Sequence, residues 1–216
     1  MEKTGNLKYL RGITTLFLVL YVVFILMNLL ESFWYSLDVT HPLKSLLHTF
    51  IKQEKKVHGW LDVLDFGARI VFSLLCNQYV KRNSLGKSYH FLVVLLGFLP
   101  VFYYFLYFMI WRKLNRSIVT HSGANFTGSD RMIIFMWILI LLHTIIPIVY
   151  ITLIYSVDSP EIVSRLIYWK RFELSGRAVF ALIFSIVYLS YFWKFRKAIT
   201  NREPDLIVKD NQLIDS

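Results

Sequence analysis

MIIFMWILILLHTIIPIVYITLIY, residues 132–155, decides the fold: it is 24 residues long and His143 is its only titratable side chain besides its two tyrosines. A helix needs about 20 predominantly apolar residues to cross about 30 Å of hydrocarbon, and this stretch exceeds that length. Working outward, Gly12–Leu30 runs 19 residues without a formal charge and Phe91–Trp111 runs 21. Ala178–Trp193 is shorter, at 16, and is bracketed by Arg177 and Lys194. The expectation is an all-α integral membrane four-helix bundle, a single domain over 1–216. Its spans fall at about 12–33, 89–111, 131–155 and 175–194, followed by a tail over 195–216.

Composition agrees. Of 216 residues 56% are hydrophobic and 17% aromatic, while only 18% are charged, below the roughly 25% of soluble domains. The net charge of +10 needs no nucleic acid to explain it, because Lys and Arg flanking spans meet anionic head groups. The bilayer is therefore the expected partner, and nucleic acid is not. Cys76 is the single cysteine, so an intramolecular disulfide and a Cys-rich metal site are excluded, and no cofactor is expected. Lys3, Lys8 and Arg11 precede an apolar run longer than the h-region of a signal peptide. Glu31-Ser32-Phe33-Trp34 offers no small-residue cleavage site, so the first run is expected to stay as a span.

Charge sets the expected orientation. With both termini cytoplasmic, the inner segments hold 12 basic residues: Lys3, Lys8, Arg11, Arg112, Lys113, Arg116, Arg131, Lys194, Arg196, Lys197, Arg202 and Lys209. The short outer loop holds four, Arg165, Lys170, Arg171 and Arg177. The long first loop holds eight more but is a poor voter in the positive-inside rule because of its length. A fifth span at Trp60–Val80 would carry Asp62, Asp65 and Arg69 into hydrocarbon, at about 2.5–3.5 kcal/mol each. Two amphipathic helices in that outer loop are expected instead. Leu43, Leu46, Leu47, Phe50 and Ile51 make one apolar stripe; Val57, Trp60, Leu61, Leu64, Ala68, Val71, Phe72 and Leu75 make the other.

Candidate sites are few. His58, Asp62, Asp65 and Arg69 form the densest polar cluster, with i, i+4 spacing in both His58–Asp62 and Asp65–Arg69. Imidazole and carboxylates can share a divalent metal, whereas two ion pairs on a solvated face are the ordinary outcome. Asp65-Phe66-Gly67 lacks every other part of a kinase site. His143, at the middle of its span, could serve a proton relay or bond Asn28, a tyrosine or Ser185 across a helix interface. Pro100 and Pro147 are expected to bend their helices. Thr127-Gly128-Ser129-Asp130 fits a capping box, a structural role for Thr127 and Asp130. Tyr168-Trp169-Lys170-Arg171-Phe172 reads as an interfacial aromatic belt. Cys76 offers a labelling probe of topology if its thiol is accessible.

The stretch Arg116-Ser-Ile-Val-Thr-His-Ser-Gly-Ala-Asn-Phe-Thr-Gly-Ser-Asp130, running into a long apolar helix, resembles the bacterial domain-of-unknown-function family 2975. The family's Phe-Thr pair stands here at Phe126-Thr127, and Asp130 occupies the position of its polar residue. The tail Leu206–Asp215 is similar to the family's polar ending, with Ile214 where Thr is common. The resemblance implies a small four-span inner-membrane protein with no established chemistry and a genetic link to helix-turn-helix regulators. No phosphate-binding or nucleophile motif is present. The expected function is therefore a non-enzymatic accessory or signalling component working through a protein partner or a second copy. The alternatives are a small transporter or channel subunit and a metal-dependent membrane enzyme.

Overall fold

The computed structural model describes residues 2–37, 41–99, 102–121, 128–155 and 160–200. They are helical in α1 (Glu2–Ser36), α2 (Pro42–Arg82), α3 (Phe91–Leu96), a π-helical turn (Tyr103–Tyr107), α4 (Phe108–His121), α5 (Ser129–Tyr155) and α6 (Pro160–Thr200). No strand occurs among the described residues. Three of these helices contain stretches long and apolar enough to cross a membrane: Leu7–Tyr35 in α1, Ser129–Ile146 in α5 and Val179–Thr200 in α6. These correspond to the first, third and fourth expected spans. The tail over 201–216, Pro100, Phe126 and Thr127 lie outside the described residues, as do the side chains of 168–172.

Two expectations need correction. The long first loop holds one helix of 41 residues, not two. Gln53-Glu54-Lys55-Lys56 between the two stripes are good helix formers, and no proline interrupts them, so nothing ends the helix there. The second correction concerns 89–111, which is not one helix. Gly97 and Tyr107 are ten residues apart, and a straight helix would separate them by about 15 Å. A Cβ on Gly97 would instead lie 3.3 Å from both Tyr107 Cα and Tyr107 N, and 3.2 Å from Val94 O. The chain therefore reverses between α3 and the π-helical turn, and a side chain at position 97 would crowd that approach. Helical bonding resumes from the Leu99 carbonyl, which accepts from Phe102 N at 2.9 Å and Tyr103 N at 2.8 Å. Along α5, by contrast, the helix continues through Pro147.

The chain divides into two compact units, Met1–Val19, Leu64–Ile134 and Leu189–Ser216 in the first, Leu20–Val63 and Phe135–Tyr188 in the second. The core of the first is aromatic. Phe17 stacks on Phe192 at 4.1 Å and meets Phe72 edge-on at 5.7 Å. Phe72 in turn sets its edge against Phe192 and Phe195. This knits α1, α2 and α6 together with edge and stacked contacts that add to plain area burial. Phe98, at the α3 reversal, packs on Phe66, Tyr103 and Tyr107. Arg11 donates to the Thr200 carbonyl at 3.3 Å, joining the early part of α1 to the last turn of α6.

In the second unit the end of α1 meets the start of α2. Trp34 Nε1 donates to Lys44 O at 3.3 Å, and Lys44 Nζ donates to Leu37 O at 2.7 Å. Farther along, Phe24 faces His58 at 5.2 Å. The partners rise on α2 as they fall on α1, so the two helices run antiparallel. Tyr21 against Tyr188 at 4.9 Å ties in α6.

Replacing Gly97 with alanine should lower the detergent melting temperature, by an overpacking cost of about 1–3 kcal/mol, since the crowding atoms are backbone. Gly67→Ala, where nothing lies within 4 Å, should raise it slightly through helix propensity. Equal shifts from both variants would count against the reversal.

Candidate functional site

The polar side chains that sequence reasoning singled out on α2 do not form one site. His58 Nδ1 and Asp62 Oδ2 lie 3.1 Å apart on an exposed face. Asp65 and Arg69 form a separate pair in the first unit, Arg69 Nε donating to Asp65 Oδ2 at 2.7 Å. Their side chains are only 13% and 6% exposed, so the solvated face expected for all four holds only for the first two. Arg69 Nη1 also donates to Tyr103 OH at 3.4 Å, which brings the π-helical turn onto the pair. With Asp65 committed to Arg69, the cluster is divided. Among the described residues no three His, Cys, Asp or Glu side chains come together as a metal-holding group.

The face of α2 that packs is not the apolar stripe read from the sequence. Ala68 and Phe72 are buried, but so are Arg69, Ser73, Cys76 and Asn77. Val57, Trp60, Val63, Leu64, Phe66 and Val71 are exposed. Cys76, 2% exposed, is therefore no surface probe. Asn77 bonds the following connection in both directions: its Nδ2 donates to Tyr89 O and its Oδ1 accepts from Tyr89 N, each at 2.8 Å. An asparagine amide carries one donor and one acceptor edge, so it substitutes here for a paired backbone.

α4 supplies a constellation that the sequence reading missed. Its buried face is Trp111, Leu114, Asn115 and Ile118, the i, i+3, i+4, i+7 positions of one stripe, while Arg112, Lys113 and Arg116 are exposed. Asn115 is the polar residue on that stripe, and it is fully engaged. Trp111 Nε1 donates to Tyr191 OH at 3.1 Å, Tyr191 OH donates to Asn115 Oδ1 at 2.7 Å, and Asn115 Nδ2 donates to Ser129 Oγ at 2.9 Å. All four side chains are buried. Donors and acceptors alternate, so each group satisfies the next. The chain of bonds locks α4 to α6 and to the first residue of α5. A polar residue at position 115 on an apolar stripe was a readable signal; its partner 76 positions away was not.

Beside this chain Asp130 meets α4; Thr127, its expected capping partner, lies outside the described residues. Asp130 Oδ2 accepts from Arg116 Nη2 and from Arg116 Nε at 3.1 Å, with Arg112 Nε 3.5 Å away. The carboxylate thus faces α4 while sitting in the first turn of α5, where negative charge meets the helix dipole favourably. Both arginines are largely exposed, so the pair orients more than it stabilises. His143 lies on an exposed face of α5, its ring 6.1 Å from that of Phe180. Asn28 donates to Phe24 O and Ser185 to Ala181 O, each within its own helix.

With this geometry in hand, comparison with protein-family models, curated proteins and solved structures finds no match.

Removing one partner of a buried ion pair strands the other charge. Arg69→Ala should cost about 3–5 kcal/mol, and the Asp65→Ala/Arg69→Ala double variant less than the single, as read from a double-mutant cycle of detergent melting. Tyr191→Phe should cost about 1–3 kcal/mol by orphaning Trp111 Nε1 and Asn115 Oδ1. An unchanged melting temperature would remove the bond chain from the stability account.

Proposed function

We propose that this chain is a multi-pass inner-membrane (plasma-membrane) protein built as a bundle of four crossing helices with both termini cytoplasmic. In this reading it is a non-enzymatic accessory or signalling component that acts through protein contacts. Three long apolar helices support its place in a bilayer. One observation carries the functional reading. Two sets of buried polar side chains in the first unit are bonded to one another, Asp65–Arg69 and Trp111–Tyr191–Asn115–Ser129. The chemically available groups of α4 are instead the exposed cations Arg112, Lys113 and Arg116. Polar groups so committed orient a helix and are poorly disposed to turn over a substrate. A rigidly held helix with an outward basic face suits recognition of an acidic protein partner.

The likeness of Arg116–Asp130 to the domain-of-unknown-function family 2975 fits this reading, since it implies a small inner-membrane protein without established chemistry. The transporter alternative, centred on His143, gains no support from a ring on an exposed helix face. The metal-enzyme alternative is weakened by the division of His58, Asp62 and Asp65 into separate pairs.

The test is purification from carbonate-washed membranes with chemical crosslinking. The wild-type chain should remain in the washed membrane and retain a partner that a Lys113→Glu/Arg116→Glu variant loses. Identical crosslinked sets from both, or lipid hydrolysis by the purified chain, would overturn the assignment.

A further inference from the structure

The buried and exposed faces of α2 are distributed as in a helix that crosses lipid. From Val63 to Val80 the exposed residues are Val63, Leu64, Phe66, Gly67 and Val71, with Gln78 the one polar exception, close to the end where the crossing meets the head groups. The other polar side chains of the same stretch, Asp65, Arg69, Ser73 and Asn77, turn toward the packed side. A helix resting on a membrane surface would show its charges to water and its apolar stripe to the protein or lipid below. Val63–Val80 spans 18 residues, about 27 Å of helix, close to the thickness of the hydrocarbon layer. The objection from charge insertion is answered by the bond between Asp65 and Arg69. The pair sits one helical turn apart and enters together as a neutral unit, with Tyr103 OH as a further partner.

The connection after α2 lies against elements that the charge count already places at the cytoplasmic face. Leu85 is buried, and Gly86 (φ 138°) approaches Ser117 of α4 so closely that a Cβ would stand 3.1 Å from Ser117 Oγ. Tyr89 is held by Asn77. The following apolar run then reverses at Gly97, leaving Leu96, Leu99, Phe102 and Phe105 exposed. A run that turns back on itself starts and finishes on one side.

We infer that α2 makes the second membrane crossing and that residues 91–107 form a re-entrant hairpin. The connection Lys81–His90 then lies on the same membrane face as both termini, with Lys81, Arg82 and Lys87 against anionic lipid head groups. This inference rests on the membrane reading above and replaces its expected second span, 89–111. Charge complementarity supports the lipid contact, since all three cations are exposed. Moving them to the inner face raises its basic count to 15, against eight outside, with Arg69 inside the crossing. The positive-inside rule favours that distribution.

Impermeant maleimide labelling in a Cys76→Ala background tests the topology. Single cysteines replace Lys8, Leu43, Lys87 and, as a second probe of the connection, Ser88; all four residues are exposed. Lys87→Cys and Ser88→Cys should react from the same side as Lys8→Cys and from the side opposite to Leu43→Cys. Labelling of Lys87→Cys and Ser88→Cys together with Leu43→Cys would overturn the inference while leaving the membrane reading intact. A chain absent from carbonate-washed membranes would sink both. In nanodiscs, phosphatidylglycerol should raise the melting temperature relative to phosphatidylcholine, and the Lys81→Gln/Arg82→Gln/Lys87→Gln variant should lose much of that rise. A variant that keeps the full rise would remove the head-group contact.

Discussion

A guanidinium cannot stay in an apolar core unless its counter-charge travels with it, and the packing of the first unit depends on how α2 meets that demand. Asp65 precedes Arg69 by one turn on the same helix, so the pair forms without help from any other element. Because neutralisation is local, α2 can bring its polar side inward and leave its apolar side outward. Phe72 then sits three residues beyond Arg69 among Phe17, Phe192 and Phe195, and Cys76 and Asn77 follow one turn later. Each of these placements would be lost if the helix turned its charges to solvent.

The same rule governs the buried bonds of α4. Trp111, Asn115, Tyr191 and Ser129 come from three helices, and none could be buried alone without stranding a donor or acceptor. Joined, they fix the rotation of α4 about its axis, so Arg112, Lys113 and Arg116 must face outward. The polar core thereby decides which surface is left for recognition.

Much of this was readable from the chain, for reasons tied to particular residues. Gly12–Leu30 and Met132–Tyr155 carry no Asp, Glu, Lys or Arg, and length alone betrays them. The stripe of Trp111, Leu114 and Ile118 shows helical spacing. Two features escaped. The i, i+4 spacing marked Asp65 and Arg69 as an ion pair but could not show that both side chains are buried, since the solvated face expected for them depends on what packs against α2. The run at 91–111 is apolar throughout, so its length argued for one rod, although Gly97 and Pro100 stand where a chain can turn. The reversal depends on the close approach of Gly97 to Tyr107, a tertiary contact that no local pattern encodes. Asp130 stands in the first turn of α5 with its carboxylate on Arg116, while Thr127, its expected capping partner, lies outside the described residues.

The bond from Arg11 to the Thr200 carbonyl fixes the point from which the chain leaves α6. Any binding segment beyond residue 200 is thus tethered within the first unit, to which α4 also belongs. A ligand gripped by such a segment would meet the α4 surface at the high effective concentration of an intramolecular encounter. Two weak grips joined by that tether would act with the avidity of one strong grip.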